Sequence, residues 1–167
     1  MEQYLKEFQP PSRLLMGAGP CNVHPRVLRA MTASMLGHLD PNFLSVMDDV
    51  RQMLRIVFQT ENEMTLPISG TGTAGMEAAL VNILEPGDNV VIGVNGFFAE
   101  RLGEIARRCG AVVHEVHFRW GSPVTAEEID EEVRKHSSVK MIGVVHAETS
   151  TGVLTPLTEL SELAKAH

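Results

Sequence analysis

The chain is short of basic residues, aromatics and cysteine, and each shortage removes a class of function. Lys and Arg total 14 against 21 Asp and Glu, for a formal net charge of −7. No run of Lys or Arg interrupts that acidic balance, so a nucleic-acid partner is not expected. The two cysteines, Cys21 and Cys109, lie far apart and form no metal or redox spacing. A reducing, cytoplasmic setting is the expectation. No apolar run reaches the roughly 18 residues that a membrane span needs. The opening Met1-Glu2-Gln3-Tyr4-Leu5-Lys6 has neither the apolar stretch of a secretory signal nor the arginines of a transit peptide. Aromatics make up 5% of the chain, so each Phe and the lone Trp120 asks for a reason; Trp120-Gly121 reads as packing. Internal repeats and low-complexity segments are absent.

What remains is a 167-residue, 44% apolar chain, long enough for one sizeable core. Residues 1–23 read as an irregular arm, with Pro10-Pro11 and Gly17-Ala18-Gly19-Pro20 as its punctuation. Residues 24–63 read as helical. A first helix starts near Pro25 and ends at Gly37-His38-Leu39. A second is capped by Asp40-Pro41 and carries Phe43, Val46, Met47, Val50, Met53, Leu54 and Val57 on one stripe. From residue 64 to 167 strands and helices alternate. Met64–Ile68, Asn89–Val94, Ala111–Val116 and Lys140–Val145 read as strands. The helices between them begin after a glycine turn, at Phe98, at the capping box Thr125-Ala126-Glu127-Glu128, and at Thr155-Pro156. That alternation predicts an α/β fold: a mainly parallel sheet with helices on both faces.

The glycine turn is Ser69-Gly70-Thr71-Gly72-Thr73-Ala74-Gly75. A bare backbone opening a helix presents free N–H groups at the positive end of the helix dipole, which is a seat for phosphate. The plainer reading is a tight strand-to-helix turn. Gly70, Gly72 and Gly75 also fit G-x-G-x-x-G, but the strand that follows ends at Val94-Asn95, where a nicotinamide dinucleotide needs an acidic residue for its ribose. A nicotinamide-dinucleotide-binding module therefore stands as an alternative. Two further loops should meet the turn at the carboxyl edge of the sheet. They are Asn95-Gly96-Phe97-Phe98 and His146-Ala147-Glu148-Thr149-Ser150-Thr151-Gly152. A phosphate cradle, an aromatic plate and a group of hydroxyls suit a flat, phosphorylated aromatic ligand such as pyridoxal phosphate. No metal site is expected, because His114 and His117, three apart on a strand, face opposite sides.

The runs Leu15-Met16-Gly17-Ala18-Gly19-Pro20, Gly37-His38-Leu39-Asp40-Pro41, Ser69-Gly70-Thr71-Gly72-Thr73, Leu84-Glu85-Pro86-Gly87-Asp88, Asn95-Gly96-Phe97-Phe98-Ala99-Glu100-Arg101 and His146 to Val153 occur in that order. Together they resemble the N-terminal part of a class V pyridoxal-phosphate-dependent aminotransferase of the alanine–glyoxylate / serine–pyruvate branch. The resemblance implies part of the large domain of a fold type I pyridoxal-phosphate enzyme, working as a homodimer on an amino acid and a 2-oxo acid. It implies that Thr71, Gly72 and Thr73 hold the cofactor phosphate, that Phe98 stacks on the pyridine ring, and that Thr149 approaches the phenolic oxygen. It also places Gly17, Ala18 and Gly19 by the substrate carboxylate. Relatives often carry Trp where this chain has Phe98, and Gly-Pro-Gly where it has Gly17-Ala18-Gly19.

Each of these residues also has a structural reading. Phe98 fits a helix core, with Phe97 competing for the stacking role, and His146 and Glu148 fit residues that order their own loop. The family's Schiff-base lysine, and the aspartate that faces the pyridine nitrogen, match no residue here. The lysines are Lys6, Lys135, Lys140 and Lys165, none in the family's context. The expectation is a fragment of a longer enzyme, inactive alone, with a catalytically dead interaction subunit as the alternative.

Overall fold

Asn89-Val90-Val91-Ile92-Gly93-Val94 is apolar along nearly its whole length, the pattern of a strand covered on both faces. In the computed structural model, which describes residues 9–167, this run is the middle of a parallel sheet. The elements in chain order are α1 (Pro25–Met31), α2 (Pro41–Phe58), α3 (Gly72–Ile83), β1 (Asn89–Val94), α4 (Phe97–Arg108), β2 (Val112–His117), α5 (Ala126–Val133) and β3 (Met141–Gly143). A short hairpin, β4 (Ala147–Glu148) and β5 (Val153–Leu154), and a last helix, α6 (Thr158–Ala166), complete them. The sheet order is β2-β1-β3, with Val91 opposite His114 on one side and Ile142 on the other.

Period-2 alternation divides β1 between two cores. Val90, Ile92 and Val94 pack with Leu80, Leu84, Ala99, Ile105 and Ala106, from α3, its end and α4. Val91 faces the other way, against Val124, Ile129 and Val133 of the α5 region and Leu160 of α6. Helices therefore cover both faces, as the pattern predicted. Ile129 of α5 is fully buried against this second core. Ile129→Val removes one methylene there and is expected to cost about 0.5–1.5 kcal/mol, read as a lower urea midpoint with an unchanged slope.

Several expectations are corrected. Met64–Ile68 forms no strand. Pro67 has no N–H to give a ladder, and no described strand pairs there. The strand predicted over Lys140–Val145 narrows to Met141–Gly143. α1 stops at Met31, well before Gly37. Thr155 does not cap the last helix. It is buried, its N–H donates to His146 O at 2.7 Å, and its Oγ1 accepts from Val124 N at 3.3 Å. At Thr125 the hydroxyl donates to Glu128 Oε2 at 2.7 Å, so the capping box closes through side chains alone. Trp120 is 53% exposed rather than packed among the described residues.

Both N-terminal helices are present, α1 in shortened form and α2 over Pro41–Phe58. Asp40 Oδ1 accepts from Asn42 N at 2.8 Å and caps α2. Arg51 and Arg55 donate to the carbonyls of Asn62 and Glu63 at 3.0–3.1 Å, holding the exit segment along α2. Neither α1 nor α2 carries a buried residue, and Met31, Met53, Ile56 and Phe58 stand exposed. The expected arm over residues 1–23 has no helix or strand from Gln9 onward; its first eight residues lie outside the described ones.

Candidate active site

The carboxyl ends of β1 and β3 and the amino end of α3 supply three loops. Thr71 is the N-cap of α3, and its Oγ1 accepts from Ala74 N at 3.4 Å. The N–H groups of Gly72 and Thr73 belong to the first turn, which has no intrahelical acceptor for them. Gly72 is exposed, and a side chain on it would meet nothing within 4 Å. Thr73 Oγ1 accepts from Arg101 Nη1 at 3.0 Å.

Arg101 reaches that threonine from α4. Its guanidinium carbon lies 4.8 Å from the Phe97 ring centroid and 5.3 Å from that of Phe98. The two rings meet edge to face, 5.6 Å apart at 77°. One cation thus joins the start of α3 to the aromatic pair at the start of α4.

Glu148 makes the second junction. It is fully buried. Its Oε2 accepts from Phe98 N at 3.0 Å and Ala99 N at 3.1 Å. Its Oε1 accepts from Ser150 N at 3.1 Å and Ser150 Oγ at 2.6 Å. Ser150 Oγ in turn accepts from Phe97 N at 3.0 Å. Gly96, the N-cap of α4, offers no side-chain cap. A carboxylate from about fifty residues further along the chain fills that place, at the favourable end of the dipole. Gly96 is required by this contact. A Cβ there would stand 2.4 Å from Glu148 Cγ and 2.6 Å from its Cδ.

Below the loop, Asn95 is fully buried; its Nδ2 donates to Ser122 O at 3.0 Å, while its Oδ1 has no partner. His146 Nδ1 lies 2.8 Å from Thr155 O, so that ring nitrogen donates and the histidine pins its own loop.

Thr149 and Ala18 line one depression of about 210 Å³, with the β4–β5 hairpin as its floor. Thr73 lines another, of about 370 Å³, between α3 and α4. Neither cavity is lined by Thr71 or Phe98. Phe98 is joined to Thr149 through Glu148, and to Thr73 through Arg101. Gly17 and Gly19 are exposed beside Ala18. Phe98 and Thr149 are legible from sequence motifs, whereas the clasp of Glu148, Ser150 and Arg101 that relates them is formed only by the fold. An acidic residue two places before a serine, just after a buried strand, was the only local sign.

The profile of the aminotransferase class-V family matches residues 15–167. Alanine–glyoxylate aminotransferase of Rattus norvegicus is 43% identical over 166 residues, covering 99% of this chain and 40% of the relative. The (S)-ureidoglycine–glyoxylate transaminase of Bacillus subtilis is 42% identical over 162 residues, 97% of this chain and 39% of the relative. The solved structure of an alanine–glyoxylate aminotransferase from Nostoc sp. superposes with a TM-score of 0.92 at 48% identity, covering 97% of this chain and 43% of that one. The chain spans about two-fifths of the length of the curated relatives it matches. The architecture is that of fold type I pyridoxal-phosphate aminotransferases, and the chain belongs to the class-V aminotransferase family.

Proposed function

We propose that these residues seat pyridoxal phosphate for transfer of an amino group from alanine or serine to glyoxylate or pyruvate. The observation that carries the reading is the buried Glu148 clasp, which holds the start of α4 at Phe98 and the Thr149 loop in one fixed relation. The residues present fit the group. The free N–H groups of Gly72 and Thr73, with the Thr71 and Thr73 hydroxyls, would hold its phosphate. Phe98 would face the ring and Thr149 its phenolic oxygen, and Gly17, Ala18 and Gly19 would border the substrate. When bound, pyridoxal phosphate supplies the electron sink that weakens bonds at the amino acid's α-carbon. Glyoxylate is favoured as acceptor because it stands in the names of relatives that differ in their amino donor.

On this reading residues 9–167 orient and anchor but do not supply the covalent amine. Lys135 Nζ pairs with Glu132 at 2.7 Å, Lys140 precedes β3 at the amino edge of the sheet, and Lys165 lies in the last turn of α6. The working assembly is a homodimer in the cytoplasm.

Binding measurements test the seat. The chain is expected to bind pyridoxal phosphate saturably and pyridoxal at least about tenfold more weakly, because the helix-terminal contacts to the phosphate are lost. Equal affinity for the two, or tight NAD binding that pyridoxal phosphate does not displace, would overturn it. Turnover of alanine with glyoxylate by the 167-residue chain alone would overturn the assignment of the covalent amine elsewhere. Co-purification of a subunit that supplies a lysine would identify the chain as an interaction subunit.

A further inference from the structure

His114 is not matched with His117, whose Nε2 lies 3.2 Å from Glu115. It meets a different histidine. Val133 ends α5, and the turn that follows brings His136 back beneath β2. The His114 and His136 rings stack with centroids 3.6 Å apart and planes 24° from parallel. Glu132, four residues before His136, shares that face. Its Oε1 lies 3.1 Å from His136 Nε2. One potential donor atom from each of His114, Glu132 and His136 falls within 4.8 Å of the others. All three side chains are half-buried.

We propose that His114, Glu132 and His136 bind a divalent transition-metal ion, with zinc the best match. Two imidazoles and one carboxylate form a borderline donor set that zinc favours, and three protein ligands leave a position for water. Zinc bonds of about 2.0–2.1 Å at near-tetrahedral angles separate neighbouring donors by about 3.1–3.4 Å. The His136–Glu132 pair already has that separation. A proton now lies between these two atoms. A metal lies in the plane of each imidazole it binds, so the stacked His114 and His136 rings must turn apart about their side-chain torsions as the cation replaces that proton. Two outer contacts flank the trio. Asn89 Oδ1 lies 3.0 Å from His114 Nε2 and orients that ring. Lys135 Nζ holds Glu132 Oε2 at 2.7 Å, leaving Oε1 for the site. Asn89 opens β1, whereas Gly96 follows its far end, so the site lies at the amino edge of the sheet, across from the proposed coenzyme seat.

The test is calorimetric titration of the untagged protein with zinc chloride alone, and cobalt chloride as a visible-absorbance probe of coordination. One ion per chain is expected. His114→Gln and His136→Gln should each weaken binding by at least about tenfold, and Asn89→Ala, which leaves the ligands in place, by about tenfold. His117→Gln should change nothing. Circular dichroism checks that each variant is folded, and a variant that is not leaves the others to decide. Failure of the wild-type protein to take up one ion overturns the proposal. So does uptake of unchanged affinity in the folded histidine or asparagine variants.

Discussion

Glu148→Ala lowers the unfolding free energy by about 2–6 kcal/mol, the sum of two buried donors left unpaired at about 1–3 kcal/mol each. The Ala99 N–H is buried, and the Phe98 N–H beside it partly so. Neither has a carbonyl of its own helix to turn to. Ser150 loses the acceptor for both its N–H and its hydroxyl. Glu148→Gln is milder, about 1–3 kcal/mol. An amide has one accepting oxygen where the carboxylate has two, so its NH₂ must face a donor. Urea unfolding followed by circular dichroism checks both values. A cost below about 1 kcal/mol for alanine would mean that water reaches these donors and that the clasp is not the anchor described here.

Gly96→Ala costs about 1–3 kcal/mol in the wild-type protein and much less beside Glu148→Ala. The φ of Gly96 is 176°, extended backbone that alanine adopts freely, so the cost is contact and not conformation. The new methyl would lie 2.4 Å from Glu148 Cγ and 2.8 Å from Ser150 Oγ. Overpacking of that kind displaces a whole side chain. With Glu148 shortened to alanine the main obstacle is gone, and the serine hydroxyl can rotate. The double-mutant cycle should return a coupling energy of about 1–3 kcal/mol. Strict additivity of the two single costs would place the strain of Gly96→Ala somewhere other than Glu148.

The fold was largely legible because its signals are local. The buried run of β1, the helical stripes and the Asp40-Pro41 start of α2, where Asp40 Oδ1 accepts from Asn42 N, are each read within a few residues. Met64–Ile68 misled because a short apolar run has no period to separate strand from coil, and strand pairing is decided by distant neighbours. Thr155-Pro156 has the local form of a helix start, yet tertiary burial drew Thr155 into a contact with Val124. The site was legible as loops and not as a network. Phe98, in the first turn of α4, and Thr149, in the β4–β5 hairpin, follow strand ends whose position is set by strand order. Glu148 reaches Phe98 across a separation that no spacing rule covers, and His114 finds His136 only after α5 has turned back.

β1 is gripped by a strand on each edge and by helices above and below. Its backbone should be among the last in the chain to exchange its amide protons. Asn95 and Gly96 continue that strand, so the Phe98 wall inherits its stiffness. Ala18, which borders the depression beside Thr149, lies on an exposed stretch secured by two Asn22 hydrogen bonds. That stretch should exchange its amides far sooner than β1, a contrast in rigidity along one molecule that hydrogen exchange reads directly.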